Sequence, residues 1–261
     1  MRCCLSILFG FILSGQAVAQ DVSDFSRVSV VPGHVLASGQ YLAGVQITMA
    51  PGWKTYWRQP GEGGIPPVFD WSGSRNIAGH VVEWPVPEVF DTYGLRSLGY
   101  HGTVVFPVLF DLIDPNAETV LDLALSFGLC SDICIPAYAE ASSPAPLDTV
   151  YNAGPLAAAR ATTTAPATGV IARCAVVPAA GAWRLDTEVA GGATTPGMVA
   201  VFETPDPDLW IGTPDAVEQG DGLLFSAPMD WFGDGAMALS RDRIRITLVE
   251  SGVRAIELTG C

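Results

Sequence analysis

Alternating apolar and polar residues in short runs, punctuated by Gly and Pro, fill the chain from Val28 to about Tyr138. The clearest case is TVLDLALSFG. Leu121, Leu123, Leu125 and Phe127 fall on one side and Asp122, Ala124 and Ser126 on the other, the period of two expected of a strand with one buried face. SVVPGHVLASGQ, YLAGVQITMAPGW and GTVVFPVLFDL read as further β segments. Helical periodicity over ten or more residues is missing from this half. The pattern predicts an all-β fold, with a sandwich as its natural form.

Between about Ala141 and Gly169 the composition shifts to Ala, Thr, Ser and Pro, which bury little apolar surface, so this stretch is expected to connect two domains. Within it, Gly154 to Ala161 has the makings of a short helix. Strand-like pieces resume from about Val170: WRLDTEV, GMVAVFET, GLLFSAP, RIRITLV and RAIEL. A second, smaller β-sandwich is expected there. The expected organisation is therefore 1–19 as a signal segment, 20–142 as the first domain, 143–168 as connection and 169–261 as the second domain. FDWSG and MDWFG echo one another, but so short a likeness does not make a repeat.

The signal reading rests on Arg2, the apolar run from Cys3 to Ser14, and the small-x-small triplet Ala17-Val18-Ala19 before Gln20. That run is too short to span a bilayer. The remainder is expected to be soluble and exported, with no stable membrane insertion, and a periplasmic location allows disulfides to persist. The formal charge of −14 becomes −15 once the +1 of Arg2 leaves with the signal. Such acidity argues against a nucleic-acid partner. With Lys54 as the sole lysine, there is no polybasic patch for anionic lipid either.

Four cysteines remain after the signal: Cys130, Cys134, Cys174 and Cys261. Pairing 130 with 134 and 174 with 261 keeps each bond within one expected domain. In the chain-entropy view the long loop closed by Cys174 and Cys261 is worth roughly 4.6 kcal/mol, whereas the five-residue loop yields only about 2. Cys174–Cys261 is thus expected to be a structural staple. The short pair asks for another purpose. Four extended steps span roughly 13 Å, so the chain must turn sharply to bring these cysteines together, and small rings of this kind tend to be the exchangeable ones. Three readings stay open on the residues alone: a metal site, an inert local staple, or redox exchange. Two thiolates are half a tetrahedral zinc shell, and His34, His80 and His101 are scattered, so no metal site is expected. Linear Cu(I) binding needs no further donor, which leaves a non-enzymatic copper-binding or adaptor module as the alternative function.

Three segments together, GLCSDICIP, APGWKTYWRQPGEGGIPPVFDWSGS and EWPVPEVFDTYGLRSLGYHGTVVFPV, resemble the amino-terminal periplasmic domain of DsbD-type thiol:disulfide interchange proteins, most of all the ScsB branch associated with copper tolerance. The resemblance spans roughly residues 25 to 140. It implies an immunoglobulin-like sandwich whose cysteine pair takes electrons from a thioredoxin-like partner, fed by a membrane-embedded reductase, and passes them to oxidised periplasmic proteins, with no cofactor. Carried over by position, Cys134 is the cysteine that forms the mixed disulfide and Cys130 the one that resolves it. Tyr56 becomes a neighbour of the site, and the stretch Phe90 to Gly94 its cap, with Tyr93 or Phe90 as the shielding ring. The family's cap position falls on Thr92 here. The membrane-spanning and thioredoxin-like parts of full-length DsbD have no counterpart in the sequence, so a relay built on this chain takes its reductant from another protein. The loop between the cysteines holds no cation, and Asp132 opposes a thiolate, which predicts ordinary thiol acidity near or above about 8.5.

Overall fold

The computed structural model describes residues 24–261 except 93, 180, 181, 193, 221, 236 and 238, so the expected signal segment lies outside the described residues. The first half runs through β1 (Ser26–Val35), β2 (Tyr41–Met49), β3 (Lys54–Gly61), β4 (Val68–Asp70), β5 (Ile77–Val82), β6 (Glu88–Thr92), β7 (Leu95–His101), β8 (Thr103–Leu112), β9 (Val120–Cys130) and β10 (Cys134–Pro144). A helix, α1 (Ala153–Ala161), follows. The second half holds β11 (Ala165–Pro166), β12 (Val170–Ala179), β13 (Ala182–Gly191), β14 (Val199–Glu203), β15 (Leu209–Ile211), β16 (Val217–Gln219), β17 (Gly222–Trp231), β18 (Arg245–Glu250) and β19 (Arg254–Thr259). These strands form four sheets. β1-β2-β8-β5 faces β10-β9-β3-β7-β6, where β4 also joins β9; β11-β19-β18-β14 faces β12-β13-β17-β15, where β16 also joins β17. The chain is all-β, an immunoglobulin-like sandwich followed by a smaller one. Among the described residues no helix is long and apolar enough to cross a membrane.

Alternation decides the faces. Along β9, Leu121, Leu123, Leu125, Phe127 and Leu129 are all buried and join Val45, Ile47, Trp57, Phe106 and Phe110 in one core. The even-numbered positions face out, and Cys130 is the last of them. In the second sandwich, β14 and β18 carry apolar residues on both faces. Ala200, Phe202, Ile246 and Leu248 belong to that sandwich's own core, while Val199, Val201, Val249 and Ala255 belong to the core of the first. The sheet β11-β19-β18-β14 is therefore covered on both sides, and the two sandwiches share an apolar contact of the kind that limits relative domain motion.

Arg58 locks that contact. It stacks on the Trp57 ring at 4.2 Å and reaches across to Glu203 on β14 at 2.9 Å, Thr247 on β18 at 3.2 Å and Glu257 on β19 at 2.5 Å. A guanidinium provides the several donors such a crossing needs.

The Ala- and Thr-rich connection is strapped to the first sandwich. Val86 N–H donates to the Thr162 carbonyl at 2.8 Å, Thr164 N–H to that of Trp84 at 3.0 Å, and Arg160 grips Glu83 through two bonds of 2.6 and 2.7 Å. Leu156 is fully buried, its methyls occupying the space left by Gly33 and Gly44. A single leucine thus docks a helix whose other apolar residues are Pro155 and alanines. Leu156→Ala is expected to lower stability by about 2–4 kcal/mol, read from the urea unfolding midpoint.

Candidate redox site

β9 and β10 form an antiparallel hairpin in which Cys130 and Cys134 are directly opposed, at a Cα separation of 4.1 Å, across a tip of Ser131, Asp132 and Ile133. Ser131 N–H closes the tip on the Ile133 carbonyl at 3.0 Å. The two cysteines are bonded to each other, and their surroundings differ. Cys134 is exposed with the rest of the tip, whereas Cys130 has 0% exposure.

Cys130 is buried on an outward-facing position because Tyr56 covers it. The Tyr56 hydroxyl lies 2.5 Å from Cys130 Sγ and 3.2 Å from Cys134 Sγ. β3 meets β9 only through the pair Lys54 and Cys130, so Tyr56, two residues on, faces Gly128. A Cβ at Gly128 would sit 3.0 Å from the Tyr56 ring, and one at Gly64, where φ is +138°, would lie 2.4 Å from it. Two bare backbones thus make the slot for the ring. Backbone groups of the slot are satisfied locally: Gly128 N–H donates to the Ile65 carbonyl at 3.0 Å, and the Gly128 carbonyl accepts from the Thr55 hydroxyl at 2.9 Å. Burial raises the Tyr56 phenol above its ordinary range, so at neutral pH it is a hydrogen-bond donor aimed at the sulfurs.

The other expected neighbours gather around Lys54. Its ammonium donates to the Thr92 hydroxyl at 3.3 Å and sits 4.7 Å from the centroid of the Phe90 ring, and burial pulls its pKa below the usual lysine range. Phe90 also meets His101 edge-on at 6.1 Å, and His101 Nδ1 is 2.8 Å from Glu88. The structure therefore brings Tyr56 to the sulfurs, and brings Phe90 and Thr92 to the lysine paired with Cys130. Tyr93 lies outside the described residues. Sequence reasoning missed Lys54, Gly64, Gly128 and Thr55; the PGW-K-T-Y order and the Gly-rich GEGG stretch were the only signals available. Cys174 and Cys261, also bonded, with a Cα separation of 5.3 Å, join β12 of one sheet to the second residue after β19 of the other. Arg241 Nη1 reinforces that joint by donating to the Cys174 carbonyl at 2.9 Å.

Residues 28–146 match the family model of the N-terminal part of thiol:disulfide interchange protein DsbD. These residues form a DsbD-type amino-terminal domain. The solved N-terminal periplasmic domain of ScsB from Proteus mirabilis superposes with a TM-score of 0.70 at 22% identity, covering 93% of this chain and 96% of that one. The likeness in fold therefore includes the second sandwich. No curated protein matches the chain. The short cysteine pair lies within the residues, 28–146, that match this thiol:disulfide interchange family.

Gly64→Ala has no room beside the Tyr56 ring and a disfavoured φ; it is expected to cost roughly 1–3 kcal/mol in chemical unfolding and to shift the tyrosine near-ultraviolet circular dichroism. A pH dependence follows from the tyrosines. Burial raises Tyr56, and raises fully buried Tyr100 well above the ordinary phenol range. The native state then keeps protons that the unfolded chain releases, so stability is full below about pH 10 and falls as pH rises past it. Urea midpoints at pH 8 and pH 10.5, with no thiol present, are expected to show that fall.

Proposed function

We propose that this protein is a periplasmic electron relay working through Cys134 and Cys130, from a membrane-linked reductase with a thioredoxin-like donor to oxidised periplasmic proteins. The observation that carries the reading is the unequal exposure of two bonded sulfurs in a DsbD-type domain: one is open to a partner and the other is sealed beneath a phenol.

The exchange balances as follows. A donor thiolate attacks the Sγ of Cys134, the exposed residue of the pair, forming a mixed disulfide while the bond to Cys130 breaks. The electron pair leaves on Cys130 as a thiolate, next to the Tyr56 hydroxyl, whose hydrogen bond stabilises the developing charge in a site with little water. The donor's second thiolate then attacks its own bonded sulfur and frees Cys134. The donor has lost two electrons and this chain holds two thiols. Delivery to an oxidised target runs in the opposite sense: the Cys134 thiolate attacks the target's disulfide, and Cys130 resolves the intermediate. The bond to Cys261 takes no part, since Cys174 is buried in the other sandwich.

Single-cysteine variants test this. Cys130→Ser leaves an exposed thiol that is expected to trap a mixed disulfide with a thioredoxin-like protein. The Cys130 thiol of Cys134→Ser is expected to be alkylated at least about tenfold more slowly and to trap nothing, since access governs thiol reactivity. Equal alkylation of the two would remove the basis for the assignment.

A further inference from the structure

β6 and β7 pair as a hairpin with Thr92 opposite Leu95, while Lys54 pairs with His101 at the far end of β7. In a flat sheet six residue steps, roughly 20 Å, would separate Thr92 from the Lys54 row. Lys54 Nζ nevertheless lies 3.3 Å from Thr92 Oγ1. The hairpin must therefore curl back over the outer face, the one that carries Cys130, since residues directly paired across strands point to the same side.

A hairpin bent this far is held from outside as well as from beneath, and its outside holds come from the second sandwich. Arg96 on β7 donates to the Thr213 carbonyl at 3.2 Å and pairs with Asp215 at 2.9 Å, while also bonding Asp91 within the hairpin. β6 is the edge of its sheet, with one row of backbone groups unpaired by a neighbouring strand. Ser251 supplies its hydroxyl to Val89 N–H at 2.9 Å, and Gly252 N–H donates to the Pro87 carbonyl at 3.0 Å. Ser251 and Gly252 lie in the turn between β18 and β19, two of the strands seated on the first sandwich through Val249 and Ala255.

We infer that the second sandwich is a positioning element for the redox site: through Asp215, Ser251 and Gly252 it fastens the β6–β7 hairpin over Lys54, on the strand face that carries Cys130, and so restricts the approach of a thiol to the Cys130–Cys134 bond from that side. The inference rests on the exchange reading above and adds a role for the second sandwich. Arg96, Asp215 and Ser251 touch neither sulfur. They act through the hairpin, and Asp215, with 70% of its side chain exposed, can be changed without disturbing either core.

The test compares the full chain with Asp215→Arg/Ser251→Ala. Reduction of each disulfide by dithiothreitol is followed by alkylation and mass spectrometry, and backbone opening by hydrogen exchange. The double variant is expected to lose protection in 88–92, to keep it in β9 and β12, and to have Cys130–Cys134 reduced about threefold faster or more, with Cys174–Cys261 unchanged. Asp215→Glu is expected to retain the wild-type rate. Ser251→Ala alone, at an exposed turn, is expected to move both readouts the same way by less, and serves if the double variant folds poorly. Protection lost from 88–92 with no change in reduction rate overturns the inference, as does unchanged protection. In both cases a bond still open to dithiothreitol leaves the exchange reading standing. A Cys130–Cys134 bond that resists dithiothreitol equally in every chain overturns both.

Discussion

Everything at the candidate redox site depends on one aromatic ring held between two glycine backbones. Tyr56 fits between Gly64 and Gly128 because neither has a side chain, and from there its hydroxyl reaches both sulfurs. The ring closes over an outward-facing cysteine that the strand pattern would otherwise leave in solvent. It thereby turns a symmetric bond into one with an open end and a sealed end. The phenol keeps its proton because burial disfavours the phenolate, so the sealed end faces a donor and not a competing charge.

That arrangement needs β3, β9 and the 62–67 loop held in fixed relation, and the core beneath supplies the constraint. β3 touches β9 only at Lys54 and Cys130, and β4 takes over the same edge at residues 124–126. The gap between those contacts falls at Gly128, where Thr55 and the Ile65 carbonyl stand in for a missing strand neighbour. An interrupted ladder leaves a cavity for a side chain, and the odd-numbered residues of β9, all buried, keep the interruption from spreading.

The second sandwich extends the same logic outward. Its β11-β19-β18-β14 sheet buries valines against the first sandwich, and Arg58 draws Glu203 and Glu257 to the bulged part of β3. Arg58 follows Trp57, and Trp57 follows Tyr56, so the strand that positions the phenol is also the strand on which the second sandwich is seated. Site and interface share a backbone. A disturbance of either is therefore felt in the other over a few residues of extended chain.

What could be read from the sequence was what depends on near neighbours. The alternation of Leu121 through Phe127 specified a strand and its buried face, because a period of two needs nothing beyond the strand itself. The separation of Cys130 and Cys134 demanded a sharp turn, and the hairpin that answers it closes within five residues. Ala153–Ala161 formed where helix-favouring alanines cluster. The Tyr56 slot, the cation paired with Cys130 and the crossing of Arg58 to residues 145 and 199 positions away were not legible. Glycines 64 and 128 look like ordinary turn and strand-end residues until a ring is found between them, and Lys54 gains its partners only when a hairpin folds back over its row. By itself, then, the sequence determined the β class, the strand faces and the presence of a short cysteine ring. The tertiary structure alone decided which sulfur is sealed and what covers it, because those depend on side chains brought together from distant strands, and local periodicity carries no record of which strands will meet.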